Sequence, residues 1–437
     1  MTDYAQTPRD PVARIAPLVV LLFFAWGFAT VLIDSLIPKL KALFTLSYAE
    51  VMLTQFSFFL AYFLCSIPAG WVLARLGYLR AIVTGLLVMA AGCVLFIPAV
   101  DYGVFGGFLV ALFVMAAGIT LLQVAANPLI AVLGSPETSH SRLNLAQAFN
   151  SLGTFVGPFV GATFILGGSG ERPVVDIASL SADALATYRH AEAEAVQGPF
   201  IGIAAGLVML VVVFWMLRRL QGPALAVQPA SSGLGLGVLR DPRVAFGALS
   251  IFAYVGAEVS IGSLLTNYLM QPSTLGLTPV KAGTLVSLYW GGAMVGRFIG
   301  SAVLRRVPAG AVLAACALGA VLLASVSALS SGMVAAVTVI AIGLCNSIMF
   351  PTIFTLAIER LGPRTPQGSA MLCLAIVGGA VVPVVTGFVA DRSGLAVALF
   401  VPAACYLWIA AYGVLARTGI VDRDRAAGAL DLPKAPA

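Results

Sequence analysis

Residues 15–36, IAPLVVLLFFAWGFATVLIDSL, form an apolar run that carries a single ionisable side chain, Asp34. A transmembrane α-helix needs about 20 consecutive apolar residues, and this run supplies them. It is longer than the hydrophobic core of a secretory signal peptide, and the polar residues before it hold no cleavage-type motif. We therefore predict that it is an uncleaved first membrane span.

The composition extends this prediction to the whole chain. Of the 437 residues, 60% are hydrophobic and only 10% are charged, whereas a soluble domain carries about 25% charged residues. Such a chain cannot cover its apolar residues with a charged surface in water. This excludes an ordinary soluble enzyme, a disordered regulator and a nucleic-acid binder, despite the net charge of +6. The lipid bilayer is the expected surroundings.

Apolar runs separated by polar or Gly/Pro-rich breaks predict twelve membrane spans. Their centres lie at about residues 25, 60, 90, 115, 155, 208, 255, 290, 318, 345, 377 and 404. The predicted fold is an all-α membrane protein with two pseudo-symmetric six-helix bundles. The predicted divisions are a cytoplasmic N-terminal segment 1–14, a first bundle 15–219, a cytoplasmic linker 220–243, a second bundle 244–417 and a cytoplasmic tail 418–437.

The positions of the cations predict the orientation. If the N-terminus is cytoplasmic, the inside loops and tails hold seventeen Lys and Arg residues and the outside loops hold six, with Arg297 left within a span. The positive-inside rule then places both termini in the cytoplasm.

The two halves also repeat short motifs. Three pairs recur at offsets of 223 to 230 residues, which indicates a duplicated six-span unit of the kind found in transporters whose halves rock about a central site. Coincidence in a glycine-rich membrane protein is the alternative. The pairs are Gly70-x4-Arg75 with Gly300-x4-Arg305, Gly153-x4-Pro158 with Gly378-x4-Pro383, and Pro128 with Pro351.

Charged residues within apolar spans are candidate functional groups because a charge in the membrane costs at least a few kcal/mol. Asp34 lies late in span 1, where it is either an interfacial residue or a carboxylate that takes up and releases a proton. Glu258 lies near the middle of span 7. It is either an acceptor for a sugar hydroxyl, a second titrating group, or the partner of Arg297 in a structural ion pair. For Arg297 a structural role is favoured.

Neutral polar residues form stripes at helical spacing on spans 2, 4 and 5. They either bond helix to helix or line a binding site. Amides offer both donor and acceptor, and aromatic faces cover C–H surfaces, so the stripes favour a neutral polyol such as a sugar. The candidate substrate-binding residues are Gln55, Phe59, Tyr62, Gln123, Asn127, Asn144, Gln147, Asn150, Glu258, Trp290 and Asn346.

Cofactor and enzyme chemistry find no support in the sequence. The six cysteines lie in apolar runs without C-x-x-C pairs, and His140 and His190 fall in predicted loops. We therefore predict no disulfide framework, no metal site and no cofactor. A membrane-embedded enzyme is not expected because neither H-E-x-x-H nor G-x-S-x-G occurs.

Several blocks resemble the fucose permease family of sugar:proton symporters, a branch of the major facilitator superfamily. This resemblance runs from about residue 20 to 415. It implies a two-lobed twelve-helix fold, alternating access and uptake of a monosaccharide with a proton. It also implies a coupling role for Asp34 and a place beside the substrate for Asn150. The blocks are FFAWGFATVLIDSLIPKLKALFTLSYAE (23–50), QVAANPLIAVLG (123–134), SRLNLAQAFNSLG (141–153), YVGAEVSIGSLLTNYL (254–269) and NSIMFPTIFTLAIERLG (346–362).

One departure from the family pattern narrows the choice among candidate sugars. Fucose transporters of this family carry a glutamate where this chain has Gln123, and Gln cannot titrate. The QVAANP form together with Glu258 looks more like the glucose/galactose branch, so glucose or galactose is preferred over fucose or N-acetylglucosamine. Sodium is an alternative to the proton as the coupling ion. The protein is expected to function as a monomer.

Two other functions stay open at this point. The stretch Gly153–Gly161 resembles the Gly/Pro signature of drug:proton antiporters, although a helix-packing surface explains it as well. A sugar-sensing homologue that binds without translocating is the second alternative.

Overall fold

The computed structural model describes residues 11–34, 48–101, 104–161, 182–218 and 236–418, with side chains at most of these positions. No strand occurs within these ranges, so the predicted all-α class is confirmed. The helices of the N-terminal half are α1 (Pro11–Asp34), α2 (Tyr48–Leu76), α3 (Tyr78–Asp101), α4 (Phe105–Val132), α5 (Ser139–Gly161) and α6 (Ala182–Leu217). Those of the C-terminal half are α7 (Pro242–Met270), α8 (Pro279–Val303), α9 (Ala309–Leu329), α10 (Gly332–Asn346), α11 (Met349–Ile358), α12 (Thr365–Leu374), α13 (Gly378–Ser393), α14 (Leu395–Ala398) and α15 (Phe400–Thr418).

Each of the twelve predicted span centres falls in a helical segment. In the ranges described, nine stretches are long and apolar enough to cross a membrane, and Ile15–Thr30 is a shorter apolar helix. The helices α5 and α8, which are richer in polar and small residues, are not among the nine. Spans 10, 11 and 12 each consist of two helical pieces: α10 with α11, α12 with α13, and α14 with α15.

The chain separates into two compact units. One comprises Met1–Pro136 and Leu145–Ser231, and the other comprises Glu137–Asn144 and Ser232–Ala437. The finer domain boundaries given by the sequence stay predictions.

Glycines allow the helices of the first unit to pack backbone to backbone. A Cβ atom on Gly118 in α4 would overlap the backbone nitrogen of Met89 in α3. A Cβ atom on Gly153 in α5 would likewise overlap the carbonyl oxygen of Phe24 in α1. Small residues at such crossings let membrane helices approach closely and gain van der Waals contact.

The second unit has a matching crossing. A Cβ atom on Gly378, at the start of α13, would overlap the carbonyl oxygen of Phe252 in α7. Gly378 is the repeat partner of Gly153, so the motif pair seen in the sequence has the same packing role in both units.

Span 10 is interrupted after Asn346, and α11 begins at Met349. Pro351 has no backbone N–H, so the carbonyl of Ser347, four residues earlier, lacks its helical donor. Arg297 Nε in α8 donates to this carbonyl oxygen at 3.1 Å. The arginine thus satisfies the backbone group that the proline leaves open, which accords with the structural role favoured from the sequence.

The beginning of α5 belongs to the second unit. Ser141 Oγ donates to the Ser301 carbonyl at 2.6 Å, and Ser301 Oγ donates to the Ser141 carbonyl at 3.1 Å. Arg305 Nε adds a bond to Ser141 Oγ at 3.2 Å. These bonds hold the first turn of α5 against α8.

Candidate functional site

Polar side chains of the first unit meet in two hydrogen-bonded pairs. Gln123 Nε2 in α4 donates to the hydroxyl of Tyr62 in α2 at 2.6 Å. Gln147 Nε2 in α5 donates to Asn127 Oδ1 in α4 at 3.4 Å. Asn127 is fully buried, and its Nδ2 has no hydrogen-bond partner among the described residues. Gln123 is partly exposed and is the accessible member of this cluster.

The aromatic members of the α2 stripe are buried. Phe59 packs edge-on against Phe58, whose ring is 5.4 Å from that of Tyr62. Both Phe59 and Tyr62 are almost inaccessible to solvent. Tyr62 contacts Gln123, and neither ring offers an open stacking surface.

Two predicted amides on α5 bind backbone carbonyls. Asn150 Nδ2 donates to the carbonyl of Phe23 in α1 at 2.9 Å, and the residue is partly exposed. Asn144 Nδ2 donates to the carbonyl of Arg297 in α8, and the residue is fully buried with Oδ1 unpartnered among the described residues. Both amides therefore join helices, and only Asn150 also presents an accessible polar group.

Two of the predicted residues cannot be placed. Asp34 and Gln55 lie outside the residues whose side chains the structure describes. Their roles in proton coupling and substrate binding stay predictions.

Glu258 is the carboxylate at the centre of the second unit's candidate site. Its Oε1 accepts a hydrogen bond from the hydroxyl of Tyr254, one turn earlier in α7, at 2.8 Å. Arg297 is close enough to stabilise the negative charge of the Glu258 carboxylate, and it was one of the partners considered for Glu258 from the sequence. Glu258 is partly exposed, so its side chain is accessible although its hydrogen-bond partner, Tyr254, is buried.

An exposed indole lies close to this carboxylate. Trp290 in α8 is 45% exposed, and its ring covers Gly262, where an added Cβ would lie 2.9 Å from Cζ2. Gly262 follows Glu258 by one turn of α7, so the two positions share a face of that helix. The carboxylate and the aromatic ring are therefore neighbours.

Asn346 is fully buried at the end of α10. Its Nδ2 donates to the hydroxyl of Tyr289 in α8 at 2.7 Å, and that hydroxyl donates to the backbone carbonyl of Glu258 at a longer 3.4 Å. Asn346 is thus connected to Glu258 through Tyr289.

Three tyrosines in this region are not among the residues predicted from the sequence. Tyr254, Tyr289 and Tyr406 are all fully buried. The i, i+4 spacing of Tyr254 and Glu258 and the adjacent pair Tyr289–Trp290 were available as signals. Tyr406 lies in α15, far along the chain from the others, and no local pattern identifies it.

His140, expected in a loop, lies in the first turn of α5 ahead of its apolar part. Its Nδ1 is 2.6 Å from Thr355 Oγ1 in α11. The Thr355 hydroxyl already donates to the Pro351 carbonyl at 2.8 Å, so the imidazole Nδ1–H is the donor to Thr355. Burial lowers the pKa of His140 below its ordinary value of 6.5, with Glu359 acting in the opposite direction and Arg142 in the same one.

Metal-binding chemistry has no candidate in this part of the molecule. Among the described residues, no group of three or more His, Cys, Asp or Glu side chains could hold a metal ion. All six cysteines are free.

The fold agrees with comparisons to known proteins. The Major Facilitator Superfamily model matches residues 18–373. The chain belongs to the major facilitator superfamily.

Two relatives cover nearly the whole chain. A glucose/galactose transporter of Brucella abortus is 48% identical over 401 residues, which is 91% of this chain and 92% of the relative. The L-fucose-proton symporter of Escherichia coli is 36% identical over 410 residues, or 90% and 91% of the two chains. The resemblance that the sequence blocks indicated is confirmed. Because these relatives are transporters, the prediction that the chain is not an enzyme is confirmed too.

Solved structures give the same result. The crystal structure of the major facilitator superfamily transporter FucP in the outward conformation has a TM-score of 0.86 and 33% identity, and the match covers 93% of this chain and 99% of FucP. The human organic anion transporter MFSD10, at a TM-score of 0.66 and 15% identity, shares the fold alone.

Proposed function

We propose that this protein imports a monosaccharide, glucose or galactose, together with a proton by alternating access. The observation that carries the proposal is the pairing of the partly exposed Glu258 carboxylate with the exposed Trp290 indole. A carboxylate accepts hydrogen bonds from sugar hydroxyls, and an aromatic face covers the C–H surface of the ring. The similarity to the Brucella abortus glucose/galactose transporter supports this choice of sugar.

The proposed sugar ligands are the accessible groups of each unit. They are Gln123 and Asn150 in the first unit, and Glu258 and Trp290 in the second. The buried candidates support them, because the polar groups that bind a sugar must be held at fixed positions. They are Phe59, Tyr62, Asn127, Asn144, Gln147 and Asn346, to which Gln55 is added from the sequence.

Asp34 is the proposed coupling carboxylate, with Glu258 as the second titrating group. A proton neutralises Asp34, which removes the cost of taking a charge away from water and permits the loaded protein to change conformation. Moving one charge across the membrane contributes about 2.3 kcal/mol per 100 mV to sugar accumulation. The similarity to a fucose-proton symporter supports the proton as the coupling ion.

The protein acts in this proposal as a monomer in the bacterial inner membrane, with both termini in the cytoplasm. The excess of Lys and Arg in the predicted inside loops supports this orientation. The proposed linker between the two bundles, residues 220–243, is then cytoplasmic.

Transport by the purified protein tests the proposal. Proteoliposomes are given labelled glucose, galactose, fucose or N-acetylglucosamine, with an inward proton gradient, an inward sodium gradient or none. We expect glucose or galactose to accumulate only with the proton gradient. Filling at the same rate under all three conditions, or accumulation driven by sodium alone, contradicts proton symport. Accumulation of fucose alone contradicts the choice of sugar.

A further inference from the structure

The hydroxyl of Tyr289 joins three helices of the second unit. Tyr289 itself is in α8, its hydroxyl donates to the carbonyl of Glu258 in α7, and it accepts from Asn346 Nδ2 in α10. The residue is fully buried, and its ring packs edge-on against Trp290 with centroids 5.1 Å apart at 81°. The hydroxyl therefore contacts the backbone of Glu258, and the ring contacts the indole of Trp290.

The close approach of α8 and α10 makes this junction possible. A Cβ atom on Gly343 would overlap the carbonyl oxygen of Tyr289. Asn346 follows Gly343 by three residues on the same face of α10, which brings its amide to the Tyr289 hydroxyl. Any larger residue at position 343 would separate the two groups.

Hydrogen-bond capacity fixes the direction of the Asn346 amide. A tyrosine hydroxyl has one proton, and here that proton goes to the Glu258 carbonyl, so toward Asn346 the oxygen only accepts. The amide must present Nδ2 to Tyr289 and turn Oδ1 away from it. Oδ1 has no hydrogen-bond partner among the described residues, and neither has the hydroxyl of Tyr406. Because Asn346 is fully buried, it can affect the accessible groups Glu258 and Trp290 only through Tyr289.

We propose that Tyr289 is a positioning residue of the sugar site that sets the spacing between Glu258 and Trp290, and that Asn346 acts through Tyr289 rather than by touching the sugar. This inference rests on the proposed sugar-binding function. It extends that function because it assigns a role to Tyr289, a residue outside the accessible set, and identifies Tyr289 as the residue through which the buried Asn346 acts.

Equilibrium binding of labelled glucose and galactose to the purified full chain tests the proposal. We expect Tyr289→Phe to weaken binding about tenfold, with the maximal transport rate changed less than twofold. Tyr268→Phe is the matched control, because Tyr268 is another buried tyrosine of this unit whose hydroxyl donates to the Ser327 carbonyl at 2.8 Å. Equal binding by Tyr289→Phe and Tyr268→Phe overturns the proposal.

Two double-variant comparisons distinguish positioning from direct contact. In a Glu258→Ala background, Tyr289→Phe should weaken binding by less than twofold, since the carboxylate it positions is gone. Asn346→Leu should weaken wild-type binding but add nothing to Tyr289→Phe. An Asn346→Leu effect that persists in full beside Tyr289→Phe means that Asn346 touches the sugar, which overturns the second half of the proposal.

Thermal unfolding of the same variants separates this inference from the proposed function. Tyr289→Phe and Asn346→Leu should lower the unfolding midpoint by less in combination than the sum of the single effects, because they remove one shared bond. Additive effects contradict the junction itself. If no sugar binds to the wild-type protein while the variants are still coupled in unfolding, the proposed function fails and the junction stands.

Discussion

Gly153 in α5 packs directly on the backbone of Phe24 in α1, and Gly378 packs in the same way on Phe252 in α7. At both crossings an added Cβ would overlap a carbonyl oxygen, an atom that cannot turn aside as a flexible side chain can. The contact occurs once in each unit, at positions that the sequence repeat pairs.

Gly153→Ala and Gly378→Ala should each destabilise the protein by about 1–3 kcal/mol, the usual cost of overpacking. Thermal unfolding in detergent measures the effect as a lower midpoint. Gly206→Ala is the control, because no atom lies within 4 Å of a Cβ at that position of α6. A midpoint as high as that of the control would contradict the tight crossing.

Gly262→Ala should weaken sugar binding without unfolding the protein. The new methyl group would lie 2.9 Å from Trp290 Cζ2, so the exposed indole must shift away from the face it shares with Glu258. We expect about a tenfold rise in the dissociation constant, since stacking and the carboxylate contact no longer fit together. Gly291→Ala, next to Trp290 but in open space, should bind sugar like the wild type. Unchanged binding by Gly262→Ala would show that the indole does not contact the sugar.

Arg297→Met should lower the stability by about 1–3 kcal/mol, because it leaves the Ser347 carbonyl without a donor. Adding Pro351→Ala should recover part of this loss, since alanine supplies the backbone N–H that proline lacks. Unfolding midpoints of the single and double variants measure the recovery, with the exposed Arg306→Met as a charge control. Failure of Pro351→Ala to recover any stability would contradict the assigned role of the guanidinium.

Asp34→Asn and Glu258→Gln should separate coupling from binding. Asparagine cannot exchange a proton, so Asp34→Asn should retain sugar exchange across proteoliposomes and lose accumulation driven by a proton gradient. Glu258→Gln should instead weaken sugar binding about tenfold, because a charged acceptor is replaced by a neutral one. Accumulation that survives in Asp34→Asn would transfer the coupling role to Glu258 or to another ion.

The stability of the protein should fall on acidification below about pH 6.5 through His140. Burial lowers the pKa of this imidazole, so the folded protein binds fewer protons there than the unfolded chain does. Stability is therefore lost as the pH falls through the ordinary value of 6.5 toward the lowered one. Glu359, which pairs with Arg243 at 3.0 Å, and Arg142 are the charged groups that act on the ring.

His140→Gln keeps a hydrogen-bond donor for Thr355 and removes the titration. Unfolding midpoints measured from pH 8 to pH 5 should fall less steeply in this variant than in the wild-type protein. Parallel curves for the two proteins would assign the acid sensitivity to other groups.

Glu258 was identifiable from the sequence because a carboxylate within an apolar span is expensive and rarely accidental. The twelve spans followed from the lengths of the apolar runs for a related reason, since hydrocarbon thickness fixes helix length. The duplicated glycines were also visible, although their packing role appears only when the opposing carbonyl oxygens are known.

The hydrogen-bond partners of the amides could not be predicted from the sequence. Helical spacing gives the direction of Asn144 and Asn150 about their own helix, but the carbonyls they bind come from α8 and α1. The link from Asn346 through Tyr289 to Glu258 likewise depends on three helices distant in sequence. Pro351 predicts an unpaired carbonyl locally, while the arginine that fills it lies 54 residues earlier.

The interruption of span 10 has a mechanical consequence. Residues 347 and 348 belong to neither helical piece, and the carbonyl at this joint is held by one side chain from α8 instead of the backbone ladder. Bending there breaks side-chain bonds, from Arg297 Nε to the Ser347 carbonyl and from Ser347 Oγ to the Leu344 carbonyl at 2.7 Å, whereas bending elsewhere in α10 or α11 breaks the regular helix. We therefore expect any bending of this span to occur immediately after Asn346, where it would move the amide that is bonded to Tyr289.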